Sequence, residues 1–166
     1  GVMLPPGSVL DLAAVDTAGD DGGSVSLTWR KSPDDGAGSQ SVGSYEVLRR
    51  ESGTSLSLIA TLPAGSTGYQ DNAVTDGTDY YYVVRTVAGS LSTDSDEVGP
   101  VRAANDAPPP LVTSLRVADR PNDNGGAIRL TWDAYSAPAD FARFVIYRST
   151  HDFVSTVGLT PLKTIT

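Results

Sequence analysis

The chain has no cysteine, so neither a disulfide framework nor thiolate chemistry is open to it. That absence assigns no compartment, because a sandwich of this size can hold itself together by core burial without staples. Histidine occurs once, at His151 in the polar stretch RSTHDFVST, so a Ser-His-Asp arrangement would hang on a single loop residue and catalysis is not expected. Glutamate, which suits helices, numbers 3 against 17 aspartates, and lysine 2 against 10 arginines. No segment holds an i, i+3, i+4, i+7 apolar stripe long enough for an amphipathic helix, and no apolar run is long enough to span a bilayer. Almost no helix and no membrane insertion are expected. The opening GVMLPPG is too short and uncharged for a signal peptide, so the leader of a secreted form is expected to have been removed or to lie outside this sequence.

What is present points to strands and turns. Glycine (17) and proline (11) are frequent among the 166 residues, and aspartate is a turn residue because its short side chain bonds to nearby backbone. The net charge is −8, distributed as −9 over residues 1–100 and +1 over residues 101–166. With neither a basic stripe nor aromatic-basic interleaving, an acidic first half argues against nucleic acid and anionic membrane surfaces as partners.

The stretch DGTDYYYVVRTVAG, residues 76–89, reads as the central strand of a β-sandwich. Tyr80, Tyr82, Val84 and Thr86 fall on its inner side, and Tyr81, Val83 and Arg85 on its outer side, where Tyr81 is expected to serve cross-strand pairing ahead of an interface hot spot. Upstream, strands are expected at Val9 to Val15, at Val25, Leu27 and Trp29, at Tyr45 to Arg50, at Leu56 to Leu62 and at Tyr69 to Asp71. A last strand near Ser92 to Val98 completes seven.

The pattern then begins again. Residues 5–29 align without a gap to residues 108–132 at an offset of 103, matching Asp16 with Asp119, Gly22-Gly23 with Gly125-Gly126, Leu27 with Leu130 and Trp29 with Trp132. A repeat of this period indicates tandem domains rather than a solenoid. The third strand, FARFVIYRS, matches YEVLRR at an offset of 99, and a fourth is expected to start at Leu162. The proline-rich stretch at residues 104–110 reads as a short semi-rigid linker between a complete domain, residues 1–103, and a partial one, residues 111–166.

The indoles Trp29 and Trp132, the YxV and FxI patterns at Tyr45 and Phe144, and GTDYYYVVRTV together resemble the fibronectin type III family, particularly versions strung along bacterial surface and secreted proteins. That resemblance implies an all-β, immunoglobulin-like β-sandwich in two tandem units, the second lacking its last strands. It implies a core built on Trp29, Tyr45, Tyr80, Tyr82, Trp132 and Phe144, with Tyr80 at a tyrosine corner, its hydroxyl bonded to upstream backbone. It also implies a non-catalytic extracellular or cell-surface role, as spacer or adhesive scaffold, with a protein or polysaccharide partner. The alternatives are an accessory region of a secreted polysaccharide- or protein-degrading enzyme, or a filament subunit completed by a neighbour's strands. No Arg-Gly-Asp tripeptide and no WSxWS box are present, so the partners those motifs recruit are not implied.

Two acidic groups invite a chemical reading. Asp34 and Asp35 are adjacent in one loop and cannot flank a sugar as acid and base. Asp16, Asp20 and Asp21 put hard oxygen donors in the first inter-strand loop, and Asp119, Asn122, Asp123 and Asn124 do so in its copy. In the family's topology the linker residues Asn105 and Asp106 approach the first of these loops. A calcium ion held by Asp16, Asp20, Asp21, Asn105 and Asp106 is therefore one expectation; the other is a turn in which Gly supplies positive φ and Asp caps backbone N–H groups.

The second unit is incomplete as a sandwich, because the strands expected to cover Ile128, Leu130, Trp132, Phe144 and Ile146 do not follow them. Leaving a large apolar side chain uncovered forfeits about 1.5–3 kcal/mol. Either a continuation of the same polypeptide or a neighbouring chain is expected to supply the missing strands.

Overall fold

Period-two alternation becomes two facing sheets in the first part of the chain. The structure, a computed structural model, describes residues 4–36 and 42–166, so the middle of the loop KSPDDGAGSQSVG lies outside the described residues. Two units are present, Gly1–Ala107 and Pro108–Thr166, and the described residues contain no helix.

Unit 1 contains β1 (Leu10–Asp16), β2 (Val25–Arg30), β3 (Ser44–Glu51), β4 (Ser57–Pro63), β5 (Gly68–Asp71), β6 (Tyr80–Ala88), β7 (Leu91–Asp94) and β8 (Val98–Val101). One sheet runs β1-β2-β5; the other runs β4-β3-β6, with β7 and β8 both paired to β6 and every pairing antiparallel. This is an immunoglobulin-like β-sandwich. Val25, Leu27 and Trp29 point inward from β2, and Tyr45 and Val47 from β3. The rings of Trp29 and Tyr45, one from each sheet, meet at 6.1 Å between centroids.

β6 is the central strand, with Tyr80, Tyr82, Val84 and Thr86 all buried. Its other face is less open than the alternation alone implies: Val83 is 4% exposed, opposite Leu48 of β3, which is itself buried. Tyr81 on that face lies under the Arg50 guanidinium, 4.0 Å from the ring centroid, so its neighbour across the strand covers it. The hydroxyl of Tyr80 accepts the Thr75 N–H at 3.1 Å, closing the tyrosine corner.

The expected last strand at Ser92 to Val98 is two segments rather than one. Ser95 breaks it by turning back on β6, its N–H donating to Val84 O at 3.0 Å while its Oγ accepts the Val84 N–H at 3.1 Å. The boundary between units also falls later than residue 103. Residues 104–107 of the linker expected at 104–110 are hydrogen-bonded into unit 1.

Unit 2 contains β9 (Arg116–Asp119), β10 (Ile128–Thr131), β11 (Phe144–Tyr147) and β12 (Pro161–Ile165), as two separate antiparallel ribbons, β9-β10 and β11-β12. Its described residues include no counterpart of β5, β6, β7 or β8. Trp132 and Phe144, expected in a core, are only half-buried, without the strands that pair with β2 and β3 in unit 1. Around them Tyr135, Phe141, Phe144 and Trp132 cluster with centroid separations from 4.8 to 5.5 Å.

Candidate functional site

The acidic loop and the linker do meet at one end of unit 1. Asp21 and Asn105 form an isolated antiparallel bridge, and the N–H groups of Asp106 and Ala107 donate to Asp20 O at 3.2 and 2.9 Å. Asp106 Oδ1 accepts the Gly19 and Asp20 N–H groups at 2.6 and 3.2 Å, and Asp16 Oδ1 accepts the Ala104 N–H at 3.0 Å. Asp20 turns its own carboxylate inward, taking the Gly22 N–H at 2.8 Å on one oxygen and the Ser24 hydroxyl on the other. Calcium takes about six to eight oxygen ligands. Here the carboxylates of Asp16, Asp20 and Asp106 are directed at backbone N–H groups instead, and among the described residues no three of His, Cys, Asp or Glu converge as a metal-holding group. The loop and the linker are thus brought together as a hydrogen-bonded strap, in which the carboxylates of Asp16, Asp20 and Asp106 accept backbone N–H groups.

The same turn recurs in unit 2, where Asp123, equivalent to Asp20, accepts the Gly125 N–H at 2.9 Å. Its second oxygen is buried without a partner, since Ala127 stands where unit 1 has Ser24. Asn122 and Asn124 beside it have φ of 64° and 59°, in the left-handed region that Asn tolerates better than most residues.

A second polar cluster lies inside unit 1. Arg49 Nη1 donates to Asp71 Oδ2 and to Ala73 O, each at 2.8 Å, and the Tyr82 hydroxyl donates to the same Asp71 oxygen at 3.0 Å. Asp71 Oδ1 takes the Ala73 N–H at 3.1 Å, and the Arg49 guanidinium lies 5.0 Å from the Tyr80 ring centroid. Burial, reinforced by the Asp71 charge, pushes the Tyr82 hydroxyl well above the ordinary tyrosine range. Burial acts against the Arg49 charge, yet the hydrogen bond and charge of Asp71 hold it even more firmly protonated than usual. This cluster was not singled out from sequence; its only signal is a lone Asp closing a short strand and an Arg on the strand that turns out to face it.

At the opposite pole Asp34 accepts the Gly7 N–H at 2.7 Å, and Asp35 Oδ2 accepts both the Tyr45 hydroxyl at 2.7 Å and the Gly65 N–H at 2.8 Å. Burial and the Asp35 contact push Tyr45 up to about 12. Asp35 itself is held below the usual carboxylate range: partial burial works against this, and the bonds from Tyr45 and Gly65 with the charge of Lys31 outweigh it. Both aspartates anchor loops to the sandwich. His151 is exposed, with its Nδ1 3.2 Å from the Thr150 hydroxyl and its N–H donated to Ser149 Oγ.

In unit 2 the inner face forms an apolar hollow of about 240 Å³, lined by Leu115, Leu130, Trp132, Phe144, Ile146 and Phe153 among others. Leu115, which lines it, is 58% exposed.

No protein-family model matches the chain, and no curated protein does. Solved structures do. The crystal structure of an Fn3-like protein from Clostridium thermocellum is 33% identical, with a TM-score of 0.47, over 61% of this chain and 94% of that one. The FN1–FN3 domains of chicken CNTN1 align over 97% of this chain and 54% of theirs, at 17% identity and a TM-score of 0.51, a likeness of fold. The twitchin kinase region from C. elegans aligns over 60% of this chain and 17% of that one, at 21% identity and a TM-score of 0.49.

Proposed function

We propose, for a chain that belongs to the fibronectin type III-like family, a non-catalytic role as a structural or interaction module of a larger extracellular or cell-surface protein of bacterial type. The observation that carries this reading is the strap. The polypeptide leaving unit 1 is tied along residues 104–107 to the loop between β1 and β2, so the segment leading toward unit 2 departs from a fixed place on a closed sandwich. That suits a unit set in series with others, where tension or orientation passes through the chain ends. The aspartates at both poles, the residues best suited to acid-base work, are engaged with backbone amides and with Tyr45.

Force spectroscopy on the chain held by its two ends tests the reading. Unit 1 is expected to give way in single rupture events, each releasing about 35–39 nm of chain, less the distance its ends span when folded, for 107 residues at roughly 3.3–3.6 Å each. Gradual extension without a rupture, or hydrolysis of polysaccharide or protein substrates by the same purified sample, would overturn it.

A further inference from the structure

Asparagine occurs four times, at Asn72, Asn105, Asn122 and Asn124, and all four are exposed. What separates them is the residue that follows: Ala73, Asp106 and Asp123 for the first three, Gly125 for the last. A backbone nitrogen can close on the side-chain amide of a preceding asparagine only if it can swing toward it, and glycine, with no Cβ, hinders that movement least. Around Gly125 no atom beyond its chain neighbours lies within 4 Å of where a Cβ would stand, so nothing outside the turn crowds the approach.

Asn124 and Gly125 sit in the connection between β9 and β10 with φ of 59° and 80°, the successive positive values that a type I′ turn requires and that Asn-Gly supplies. The Gly125 N–H, the group that would attack, is donated to Asp123 Oδ1 at 2.9 Å. A carboxylate held there fixes the nitrogen in the turn and opposes the negative charge it must gain before attacking. The offset of 103 places Asn124 opposite Asp21. Asp21 is exposed even though residues 104–107 lie against its loop, so exposure belongs to this turn position itself.

We propose that Asn124 is a site of spontaneous covalent modification, its amide converted by water to a carboxylate through a cyclic imide with Gly125, at a rate restrained by Asp123. Hydroxide removes the Gly125 N–H proton and the nitrogen bonds to Asn124 Cγ. The Cγ–Nδ2 bond then breaks; Nδ2 takes a proton from water and leaves as ammonia, which regenerates the hydroxide. A second water adds across one of the two C–N bonds of the imide. Opening at Cγ leaves aspartate, the residue unit 1 already has at this place. Opening at the Asn124 main-chain carbonyl leaves isoaspartate, with one more carbon in the main chain. Either product changes the net charge of residues 108–166 from +1 to 0. Isoaspartate also lengthens the turn that sets the Ile128–Asp119 register of β10 and β9.

Incubation of the 166-residue chain at mildly alkaline pH, followed by proteolytic mapping and mass spectrometry, tests the proposal. Synthetic peptides of residues 116–131 carrying aspartate or isoaspartate at the Asn124 position identify the two products. Asn124 is expected to convert about tenfold faster than Asn72, Asn105 or Asn122, at a rate that rises in proportion to hydroxide. Asp123→Ala is expected to speed conversion severalfold in the folded chain and to leave the rate in urea unchanged, where no turn holds the nitrogen. The isoaspartate fraction is expected to lose hydrogen-exchange protection at residues 128–131, which the Asn124→Asp chain is expected to keep. Conversion of Asn124 no faster than that of the other three asparagines would overturn the proposal. An Asp123→Ala chain that converts no faster than the unaltered one when folded, or is faster by the same factor in urea, would overturn the restraint.

Discussion

Arg49 and Asp71 meet at 2.8 Å across the interior of unit 1, tying β3 of one sheet to the end of β5 in the other. The Asp71 side chain is 3% exposed and that of Arg49 22%, and the Tyr82 hydroxyl shares the Asp71 oxygen. Removing one partner strands the other charge in a largely dry site. Asp71→Ala is therefore expected to destabilise unit 1 by about 2–4 kcal/mol, and Tyr82→Phe by about 1 kcal/mol. Urea titration measures both. An Asp71→Ala midpoint indistinguishable from that of the unaltered chain would show the pair to be without energetic weight.

Thr86 carries the opposite imbalance. It is fully buried on β6 opposite Tyr45, and its hydroxyl has no hydrogen-bond partner. Thr86→Val keeps the shape and removes the orphaned oxygen. A gain of about 1 kcal/mol is expected, seen as a higher thermal midpoint for unit 1.

The two buried phenols set an alkaline limit. Tyr45 and Tyr82 both titrate above the ordinary tyrosine value in the folded chain, Tyr45 at about 12. A group with a raised folded pKa contributes its full stability below the unfolded value and loses it as pH rises. Stability of unit 1 is thus expected to fall from pH 10 upward, through 12 and beyond, and Tyr45→Phe is expected to flatten the first part of that fall. On the acid side the lowered Asp35 contributes stability that is lost as pH drops below the ordinary aspartate value of 3.8. Denaturant midpoints measured across both windows check the signs; a midpoint that rose above pH 10 would contradict them.

The strap yields a prediction about calcium. With the carboxylates of Asp16, Asp20 and Asp106 directed at N–H groups, millimolar calcium or a chelator is expected to leave the melt of unit 1 unchanged. Asp106→Ala is expected to cost about 1 kcal/mol and to speed hydrogen exchange at Gly19 and Asp20. Calorimetric heat on adding calcium, or a chelator-sensitive melt, would restore the metal reading.

Much of the architecture was legible because it rests on local periodicity. Val25, Leu27 and Trp29 alternate in the chain as they alternate in the sheet, and Tyr80 sits close enough to Thr75 for the corner to be read from one segment. Features set by distant partners were not legible. Val83 looks outward by alternation, yet Leu48 of another strand covers it. The break in the last strand depends on Ser95 finding Val84, and the Arg49–Asp71 pair joins residues whose facing is decided only when two sheets stack. The convergence of Asn105 and Asp106 on the acidic loop was foreseeable from topology; the direction of the carboxylates, toward amides, was not. Trp132 and Phe144 carry the same residue pattern as a core, but a core also needs the strands that cover it.

The two indoles, one in each unit, allow the most direct test of the account. Acrylamide quenching and thermal melting can be followed on Trp29 alone in Trp132→Phe and on Trp132 alone in Trp29→Phe. Trp29 is expected to emit to the blue, resist quenching and lose that protection in one cooperative melt, while Trp132 is expected to be several times more quenchable and to show no such transition. Equal protection of both indoles, or an accessible Trp29 in the folded chain, would contradict a closed first sandwich followed by an open second one.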